Sequence, residues 1–221
     1  PIFLARMWNS ALKKSSSQDK LELSLYIDDD DMATQGVLPK LGGDFRMAFG
    51  PRIVLSEMWN VAYKNATGDI LMHCGDDIIF RTEGWDETVR SAFNEFNDRI
   101  LFAFGDDGWH GSGFGTHGFV HRNWVDTLGY FVPPYFSSDF NDTWLNEVAA
   151  MIGRKKYIPI YTEHMHPMFG KGPNDQTHVE RMERHNRDKV DEIYASKFPE
   201  READSRKLME FIKNYENIRS L

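Results

Sequence analysis

Short apolar segments that end in acidic residues alternate with helical segments along the first part of the chain, and this alternation restricts the possible folds. The segments 21–27, 70–72 and 100–104 have the composition of buried strands. Stretches at 53–65 and 83–96, with apolar residues at helical spacing, separate them. Strands and helices in this order favour an α/β fold with a mixed, mainly parallel sheet flanked by helices.

The two ends of the chain depart from this alternation. A helical pattern covers 2–15, whereas sheets of this class normally open with a strand. Either the first strand is missing from this sequence, which we favour, or the topology departs from the usual one. Two highly charged helical stretches, 179–198 and 203–218, predict a C-terminal extension that packs outside the sheet, covers a site or mediates assembly. We therefore expect two parts: a domain at 1–172 that contains the sheet and the candidate catalytic residues, and a helical extension at 173–221.

The net negative charge of the chain lies entirely in its sheet part. Residues 1–170 contain 15 Lys and Arg against 23 Asp and Glu, whereas residues 171–221 contain 11 of each. This distribution argues against a broad nucleic-acid-binding surface, which needs clustered positive charge. From the apolar runs we expect neither a membrane span nor a secretory signal. A single cysteine, Cys74, excludes an internal disulfide and suits a reducing compartment, so we expect a cytoplasmic protein.

Two adjacent acids, Asp76 and Asp77, follow the central apolar strand after a break at Gly75. Ligands of α/β sheets bind at the carboxyl ends of strands. Adjacent carboxylates repel unless a cation or solvent neutralises them, so the pair indicates either a metal site or a solvated acidic turn. A run of four acids, Asp28 to Asp31, follows an earlier strand and allows two similar interpretations, a binding site or a solvated loop with a helix N-cap.

Two histidines, His164 and His166, stand near the end of a strand predicted over 157–166. Residues two apart in an extended strand project from the same face. Imidazoles and carboxylates at neighbouring strand ends can share a divalent cation such as Mn²⁺ or Mg²⁺. We therefore predict metal ligands among Asp76, Asp77 and these two histidines. The alternative is that the histidines are polar filling within the strand.

Taken together, these motifs resemble the GT-A glycosyltransferases, in particular small family 2-like members from bacteria and their phages. The resemblance extends to about His178. It rests on these motifs, in this order: Tyr26-Ile27-Asp28-Asp29-Asp30-Asp31, Gly50-Pro51-Arg52, Asn60 with Gly68-Asp69-Ile70-Leu71, Gly75-Asp76-Asp77, Gly84-Trp85-Asp86, Trp124-Val125-Asp126-x-Leu128-Gly129-Tyr130-Phe131, Asp142-x-Trp144-Leu145, and Glu163-His164-x-His166-Pro167.

The resemblance implies a GT-A, Rossmann-like fold with a nucleotide-sugar donor lying across the carboxyl ends of the strands. The residues that it implies for nucleoside binding are Asp28, Asp29, Asp30, Asp31 and Arg52. Asp76 and Asp77 resemble the end of the family's Asp-x-Asp motif, whose last acid binds the cation that bridges the donor diphosphate. Cys74 stands at the position of the first acid, so the motif is incomplete.

The resemblance also implies a catalytic base. Asp142 matches the family's acceptor-activating acid at the start of a helix after the sheet, and Asp139 is the alternative. An inverting enzyme needs such a carboxylate to remove the proton of the attacking hydroxyl. His164 or His166 would complete the metal or diphosphate site, where a metal acts as a Lewis acid. We therefore predict metal-dependent, inverting sugar transfer from a nucleotide sugar to an acceptor hydroxyl.

Two other functions stay open on the sequence. A nucleotidyltransferase has a related sheet and also needs acids and a metal, but the Gly-rich basic phosphate loop that it would normally carry is not found in the sequence. A non-catalytic carbohydrate-binding or assembly protein could retain the fold, and the incomplete Asp-x-Asp motif favours it. The acceptor could be a glycan, a small molecule or a modified base, and the C-terminal helices could form an oligomer.

Overall fold

The computed structural model describes residues 2–173 and 176–219, and positions 1, 174, 175, 220 and 221 of the two predicted domains lie outside the described residues. The strands are β1 Glu22–Asp28, β2 Asp44–Gly50, β3 Ile70–His73, β4 Ile78–Phe80, β5 Phe102–Asp106, β6 Gly118–His121 and β7 Lys155–His164. The α-helices are α1 Ile2–Lys14, α2 Met32–Gln35, α3 Leu55–Asn65, α4 Trp85–Asn94, α5 Arg122–Leu128, α6 Asn141–Met151, α7 Gln176–Arg187, α8 Val190–Ser196 and α9 Phe198–Arg219. Short 3₁₀ turns occupy Gln18–Lys20, Leu38–Lys40 and Pro167–Phe169.

The strands form two groups, the pair β1–β2 and a five-stranded sheet in the order β3-β6-β5-β7-β4. β1 and β2 pair in parallel from Glu22 opposite Asp44 to Asp28 opposite Gly50. In the larger sheet β3, β5 and β7 run in one direction, and β6 and β4 run against them. This mixed sheet, with most of its strands in one direction and helices around it, confirms the predicted fold class.

The side chains of each strand point alternately to the two faces of the sheet, and helices cover the apolar side chains on both faces. In β5, Ala103 faces a first apolar cluster that contains α1 and α4. Its neighbours Phe102 and Phe104 face a second cluster that contains α5, α6 and α9. Successive strand residues point to opposite faces, so the two clusters lie on the two sides of the sheet. All three side chains are at most 1% exposed, which makes this strand the centre of the core.

The C-terminal helices contribute to the second cluster. Val190 of α8 and Leu208 of α9 are fully buried there, together with Trp144 of α6. Asp204 of α9 accepts hydrogen bonds from Trp144 Nε1 at 3.1 Å and from the hydroxyl of Tyr130. Burying an aliphatic side chain of this size stabilises the fold by roughly 1.5–3 kcal/mol. The extension thus stabilises the sheet domain, and the division of the chain into two domains stays a prediction.

The helix boundaries near the C-terminus differ from the predicted ones. The single helix predicted over 179–198 is divided into α7 and α8, because Lys189 between them adopts a left-handed φ of 53°. α9 begins at Phe198, before the predicted start at 203. Among the described helices, none combines the length and the apolar character that crossing a membrane would require.

Candidate active site

Asp77 and His164 form the polar centre at one edge of the sheet. His164 Nε2 lies 3.1 Å from Asp77 Oδ2. The two residues meet because β4 pairs with β7 and places Ile78 opposite His164. Burial opposes ionisation of Asp77, but the hydrogen bond and the electrostatic attraction from His164 outweigh it and lower the pKa of the carboxyl to about 2. Asp77 is therefore a carboxylate at neutral pH.

The side chain of Asp77 affects the two residues Cys74 and Gly75 that precede the acid pair. A Cβ atom at Gly75 would lie 2.6 Å from Asp77 Oδ1, so any larger residue there would force this carboxylate to move. Burial, followed by the charges of Asp77 and Asp76, raises the pKa of the Cys74 thiol to about 12. A metal-binding cysteine is a thiolate. Cys74 is therefore a neutral thiol here, and it does not supply the ionised oxygen of the acid that the family motif would place there.

Four histidine rings form a row beside Asp77. The ring centroids of His117 and His164 are 4.7 Å apart, those of His164 and His166 5.1 Å, and those of His166 and His178 4.7 Å. Burial lowers the pKa of His117 to about 3, so this imidazole is neutral. Among the described residues, His117 Nε2 and His164 Nδ1 are buried without a hydrogen-bond partner. Unpaired buried nitrogens are uncommon and suit a site that binds a ligand.

His166 lies beyond the strand that was predicted to contain it. β7 ends at His164, and its pairing with β4 ends there too. His166 precedes the turn at Pro167, where its Nδ1 accepts a hydrogen bond from the Met168 N–H at 3.1 Å. The predicted strand end at 166 is therefore wrong. Contacts within this turn, rather than strand alternation, keep the ring beside His164.

The four predicted metal ligands do not form a closed site. Among the described residues, no group of three or more His, Cys, Asp or Glu side chains could hold a metal ion. Asp77 and His164 nevertheless supply an ionised oxygen donor and an imidazole at one point. Mg²⁺ and similar ions are often bound by one or two carboxylates, with phosphate and water oxygens as the other ligands. Together they offer two of the ligands that a cation shared with a diphosphate would need, and Asp76, Asp77, His164 and His166 all stay predicted ligands.

The acids after β1 have different environments. Asp28 Oδ1 is buried without a partner among the described residues, and burial, reinforced by neighbouring acids, raises its pKa despite Arg52. Arg52 Nε lies 3.1 Å from Asp30 Oδ2 and 3.9 Å from Asp28 Oδ2. Asp31 caps α2 by accepting a hydrogen bond from the Thr34 N–H at 2.9 Å. The N-cap interpretation thus applies to Asp31, and the nucleoside-binding roles of the run and of Arg52 stay predictions.

The two candidate bases also differ. Asp139 pairs with Arg181 and with His185, whose Nδ1 lies 2.6 Å from its carboxylate. Asp142 lies in the first turn of α6, where its Oδ1 accepts a hydrogen bond from the Thr143 N–H at 2.7 Å. Burial, and secondarily the charge of Asp139, raises the pKa of Asp142 to about 6. Asp142 is therefore ionised at neutral pH and still basic enough to accept a proton.

Phe140 separates the environments of these two acids. It has a left-handed φ of 71°, which is unfavourable for a residue other than glycine. Its ring stacks on Tyr194 of α8 with the centroids 4.2 Å apart. α6 begins at Asn141, so Asp139 lies before the helix and turns towards α7. Contacts from the C-terminal helices thus fix the loop that positions Asp142.

α7 lies beside all three groups of candidate residues. The pKa of Arg52 is raised mainly by its hydrogen bond to Asp30 and more weakly by the charge of Glu180, which belongs to α7. α7 is therefore close enough to interact electrostatically with the arginine beside the acids at 28–31. Two neighbouring positions of α7 make contacts outside the helix: the ring of His178 packs against the ring of His166, and Arg181 forms an ion pair with Asp139. Residues three apart on a helix are surface neighbours. One turn of α7 therefore links the histidine row to the segment that carries Asp142.

Sequence analysis missed four of these side chains, namely His117, His178, Arg181 and His185. His117 lies within the Gly-rich stretch 108–118, whose composition predicts a loop or a flexible strand, and nothing in the local pattern indicates its burial. The spacing of Arg181 and His185 is the one available signal, because cations four apart on a helix face can share an acidic partner. The identity of that partner, Asp139, depends on tertiary contacts.

The fold is similar to that of glycosyltransferases of the GT-A type. No protein-family model and no curated protein sequence matches the chain. The structure of S. aureus TarS has a TM-score of 0.53 at 12% identity, over 74% of this chain and 34% of TarS. The mannosyltransferase PcManGT from Pyrobaculum calidifontis, solved in complex with GDP-Man and Mn²⁺, has a TM-score of 0.53 at 16% identity, over 82% of this chain and 59% of PcManGT. The chain thus spans less than two thirds of either protein, and the likeness establishes a GT-A-like fold.

Proposed function

We propose that the chain is a glycosyltransferase that moves a sugar from a nucleotide-sugar donor to an acceptor hydroxyl with inversion. The contrast between two acids carries this proposal. Asp77 has a pKa of about 2 and Asp142 a pKa of about 6. Acids whose environments separate their pKa values in this way commonly have different roles. Asp77 suits permanent ionic binding, and Asp142 suits proton acceptance.

The donor would lie along the strand ends. Asp28 and Arg52 would contact the nucleoside, and Asp77 with His164 would face the diphosphate, with Asp76 and His166 nearby. A divalent cation bound there would stabilise the negative charge that develops on the leaving diphosphate. The similarity in fold to PcManGT, whose structure contains GDP-Man and Mn²⁺, supports this arrangement.

Asp142 would act on the acceptor. Its carboxylate accepts the proton of the acceptor hydroxyl while the hydroxyl oxygen bonds to the anomeric carbon. The bond from that carbon to the diphosphate oxygen breaks, and the nucleoside diphosphate leaves. Asp139 is less suited to this role, because Arg181 and His185 already neutralise it. Its contribution is to keep α7 against the loop before α6.

A panel of UDP-, GDP- and dTDP-sugars tests this function with the full chain. Mass spectrometry would follow release of the nucleoside diphosphate with Mn²⁺ and with EDTA, and thermal stabilisation would report binding. We expect metal-dependent turnover of one donor class, with binding kept and turnover lost in Asp142→Asn. The absence of both binding and turnover with every donor of the panel would contradict the proposal. Metal-dependent binding without turnover by the unaltered chain would instead favour a non-catalytic carbohydrate-binding protein.

A further inference from the structure

An exposed tryptophan, Trp109, lies in the loop 107–117 that joins β5 to β6. One face of its indole ring stacks on Phe169, with the ring centroids 4.6 Å apart and the planes 16° from parallel. Trp109 is nevertheless 64% exposed, so the other face of the ring is open to solvent. An exposed aromatic ring is not by itself a binding site, but the rigidity and the position of Trp109 distinguish it.

Hydrogen bonds to a buried carboxylate, that of Asp107, hold Trp109 in place. Asp107 is 2% exposed, and its Oδ1 accepts the main-chain N–H groups of Trp109 at 2.8 Å and of His110 at 2.7 Å. Its Oδ2 lies 2.7 Å from His110 Nδ1 and accepts a hydrogen bond from the Thr116 hydroxyl at 2.7 Å. Asp107 thus ties both ends of the loop together. A ring that is fixed before a ligand arrives loses little conformational freedom on binding, which favours affinity.

The start of this loop contacts the donor side of the candidate active site. The carbonyl of Asp107 accepts the N–H of His164 at 2.9 Å. The ring of Phe169, which supports Trp109, lies 5.7 Å from the His164 ring. One aromatic ring therefore separates Trp109 from the imidazole that contacts Asp77.

The end of the loop contacts the helix that carries the candidate base. Asn146 Nδ2 donates hydrogen bonds to the carbonyls of Gly115 and Asp142, both at 2.8 Å. The N–H of Gly115 donates in turn to Asn146 Oδ1 at 2.9 Å. The loop that presents Trp109 is thus bound to the first turn of α6, and it lies between the proposed diphosphate position and the proposed base.

Polar groups lie at the margin of the Trp109 ring. A Cβ atom at the preceding residue, Gly108, would lie 2.8 Å from the Tyr161 hydroxyl and 3.2 Å from Lys171 Nζ. Both groups therefore lie against the main chain beside the ring. The Nδ1 of His110 is already hydrogen-bonded, which leaves Nε2 of this partly exposed ring for another partner. An open apolar face is thus bordered by a hydroxyl, an ammonium group and an imidazole.

We propose that the open face of Trp109 binds a sugar ring of the acceptor, so that the acceptor is a carbohydrate. This inference rests on the proposed glycosyltransferase function and specifies its acceptor. A pyranose ring presents C–H groups on its faces, which suit the electron-rich face of an indole. Its hydroxyl groups lie around the edge of the ring, where Tyr161, Lys171 and His110 can form hydrogen bonds with them.

The charges near Trp109 favour a sugar over a nucleic acid. Nucleobases also stack on aromatic rings, but a nucleic acid brings phosphates that need available cations. Lys171 is already paired with Glu163 at 2.9 Å. Burial opposes ionisation of Asp107, but its hydrogen bonds with His110 outweigh burial and lower its pKa, so a negative charge lies next to the loop. A neutral, hydroxylated ring suits these surroundings better than a phosphate backbone.

The test follows Trp109 directly in the full chain. Its 6 tryptophans are labelled with fluorotryptophan, and the ¹⁹F signal that disappears in Trp109→Phe is that of Trp109. The probes are maltose, cellobiose, lactose, diacetylchitobiose and methyl mannoside, with adenosine and thymidine as the nucleobase probes. We expect at least one sugar to shift the Trp109 signal in a saturable manner and both nucleosides to leave it unchanged.

Variants then test whether the ring supplies affinity. Trp109→Ala should weaken binding of that sugar at least about fivefold in calorimetry, and Trp109→Phe, which keeps a flat ring, should weaken it less. Tyr215→Ala is the matched control, because Tyr215 of α9 also stacks on a phenylalanine, Phe211, with the centroids 6.2 Å apart. It should leave the affinity unchanged. Circular dichroism verifies that each variant is folded.

Donor binding separates a failure of this inference from a failure of the proposed function. Trp109→Ala should keep the affinity of the chain for nucleotide sugars. Donor turnover by a chain in which no sugar shifts the Trp109 signal, or in which Trp109→Ala binds the sugar equally well, would overturn the inference alone. A shift caused by a nucleoside at or below the effective sugar concentration would also overturn it and indicate a base as acceptor. Sugar binding at Trp109 without binding of any nucleotide sugar would contradict the transferase function, and the acceptor role with it.

Discussion

His164 and Asp77 are 87 positions apart in sequence, yet His164 Nε2 lies 3.1 Å from Asp77 Oδ2. The short strand β4, which follows the acid pair directly, pairs antiparallel with the end of β7 and brings the two residues together. His164 holds the carboxylate ionised, and its own Nδ1 is buried without a partner among the described residues. The pair is therefore a carboxylate whose position and ionisation depend on an imidazole from a distant strand.

We expect Asp77→Asn to weaken the binding of nucleoside diphosphates in the presence of Mn²⁺ by at least about tenfold, because removal of a carboxylate takes away the ionised oxygen donor. Calorimetry with UDP and GDP, each with Mn²⁺ and with EDTA, measures the effect. Asp106→Asn is the matched control, since Asp106 ends β5 and its Oδ1 accepts a hydrogen bond from the Gly108 N–H at 2.7 Å. Equal affinity in Asp77→Asn and the unaltered chain would exclude Asp77 from the site.

A second expectation concerns stability against pH. His73 is 1% exposed, and burial lowers its pKa to about 4. Between pH 6.5 and 4 the unfolded chain binds a proton at this residue and the folded chain does not, so the free energy of unfolding falls as the pH falls. This lowering of the His73 pKa corresponds to a decrease in the free energy of unfolding on the order of 3 kcal/mol between pH 6.5 and 4. Phe102 and Trp59 surround the ring, so His73→Phe keeps the aromatic packing.

Urea unfolding at pH 7, 5.5 and 4.5 tests this expectation. His73→Phe should lose less stability than the unaltered chain as the pH falls, because phenylalanine has no site to protonate. Relative to its value at pH 7, the free energy of unfolding of the two proteins should diverge most at pH 4.5. Identical pH dependence in the two proteins would show that His73 does not stay neutral in the folded chain.

A third expectation concerns the attachment of α7. Arg181 and His185 of α7 pair with Asp139, and these side chains are partly buried. Arg181→Ala should therefore raise the exchange rate of the α7 amides about fivefold, which corresponds to the loss of about 1 kcal/mol from a half-exposed ion pair. Arg187→Ala, which removes an exposed arginine that pairs with its sequence neighbour Asp188 and not with Asp139, should leave the rate unchanged. An equal effect of the two variants would mean that Asp139 does not hold the helix.

Sequence periodicity located most of the sheet, because strands such as β1 and β5 owe their position to their own apolar residues. The acids at Asp28 and Asp77 were found for the same reason, since they directly follow such strands. β4 was missed because Ile78–Phe80 is too short to show a period. Its pairing with β7 is a long-range contact, and so is the encounter of Asp77 with His164 that depends on it.

The environment of the candidate base Asp142 is harder to predict from local sequence than the position of the strands. The start of α6 is set by the left-handed φ of Phe140 and by its stacking on Tyr194. Neither feature leaves a pattern in the residues around Asp142. The same holds for Asp139, whose role as an ion-pair partner is determined by α7 and not by its position before a helix.

The last expectation separates an enzyme from a binding module. Burial raises the pKa of Asp142 to about 6, and a general base must be ionised to accept a proton. Sugar transfer should therefore be constant above pH 7 and fall about tenfold per pH unit below 6, as Asp142 becomes protonated. Asp142→Asn should keep donor binding and reduce transfer by roughly a hundredfold or more. Its residual rate should lack the acidic limb of the pH profile.

Asp139→Asn is the matched variant. Asparagine cannot neutralise Arg181 or His185, so this change should loosen α7 and lower stability. The remaining folded enzyme should keep an acidic limb, because Asp142 is intact, but the limb should move below pH 6, because the charge of Asp139 no longer raises the pKa of Asp142. Rates of donor turnover from pH 5 to 8, measured alongside thermal stability, distinguish the two acids. An unchanged rate in Asp142→Asn together with loss of the limb in Asp139→Asn would transfer the role of base to Asp139.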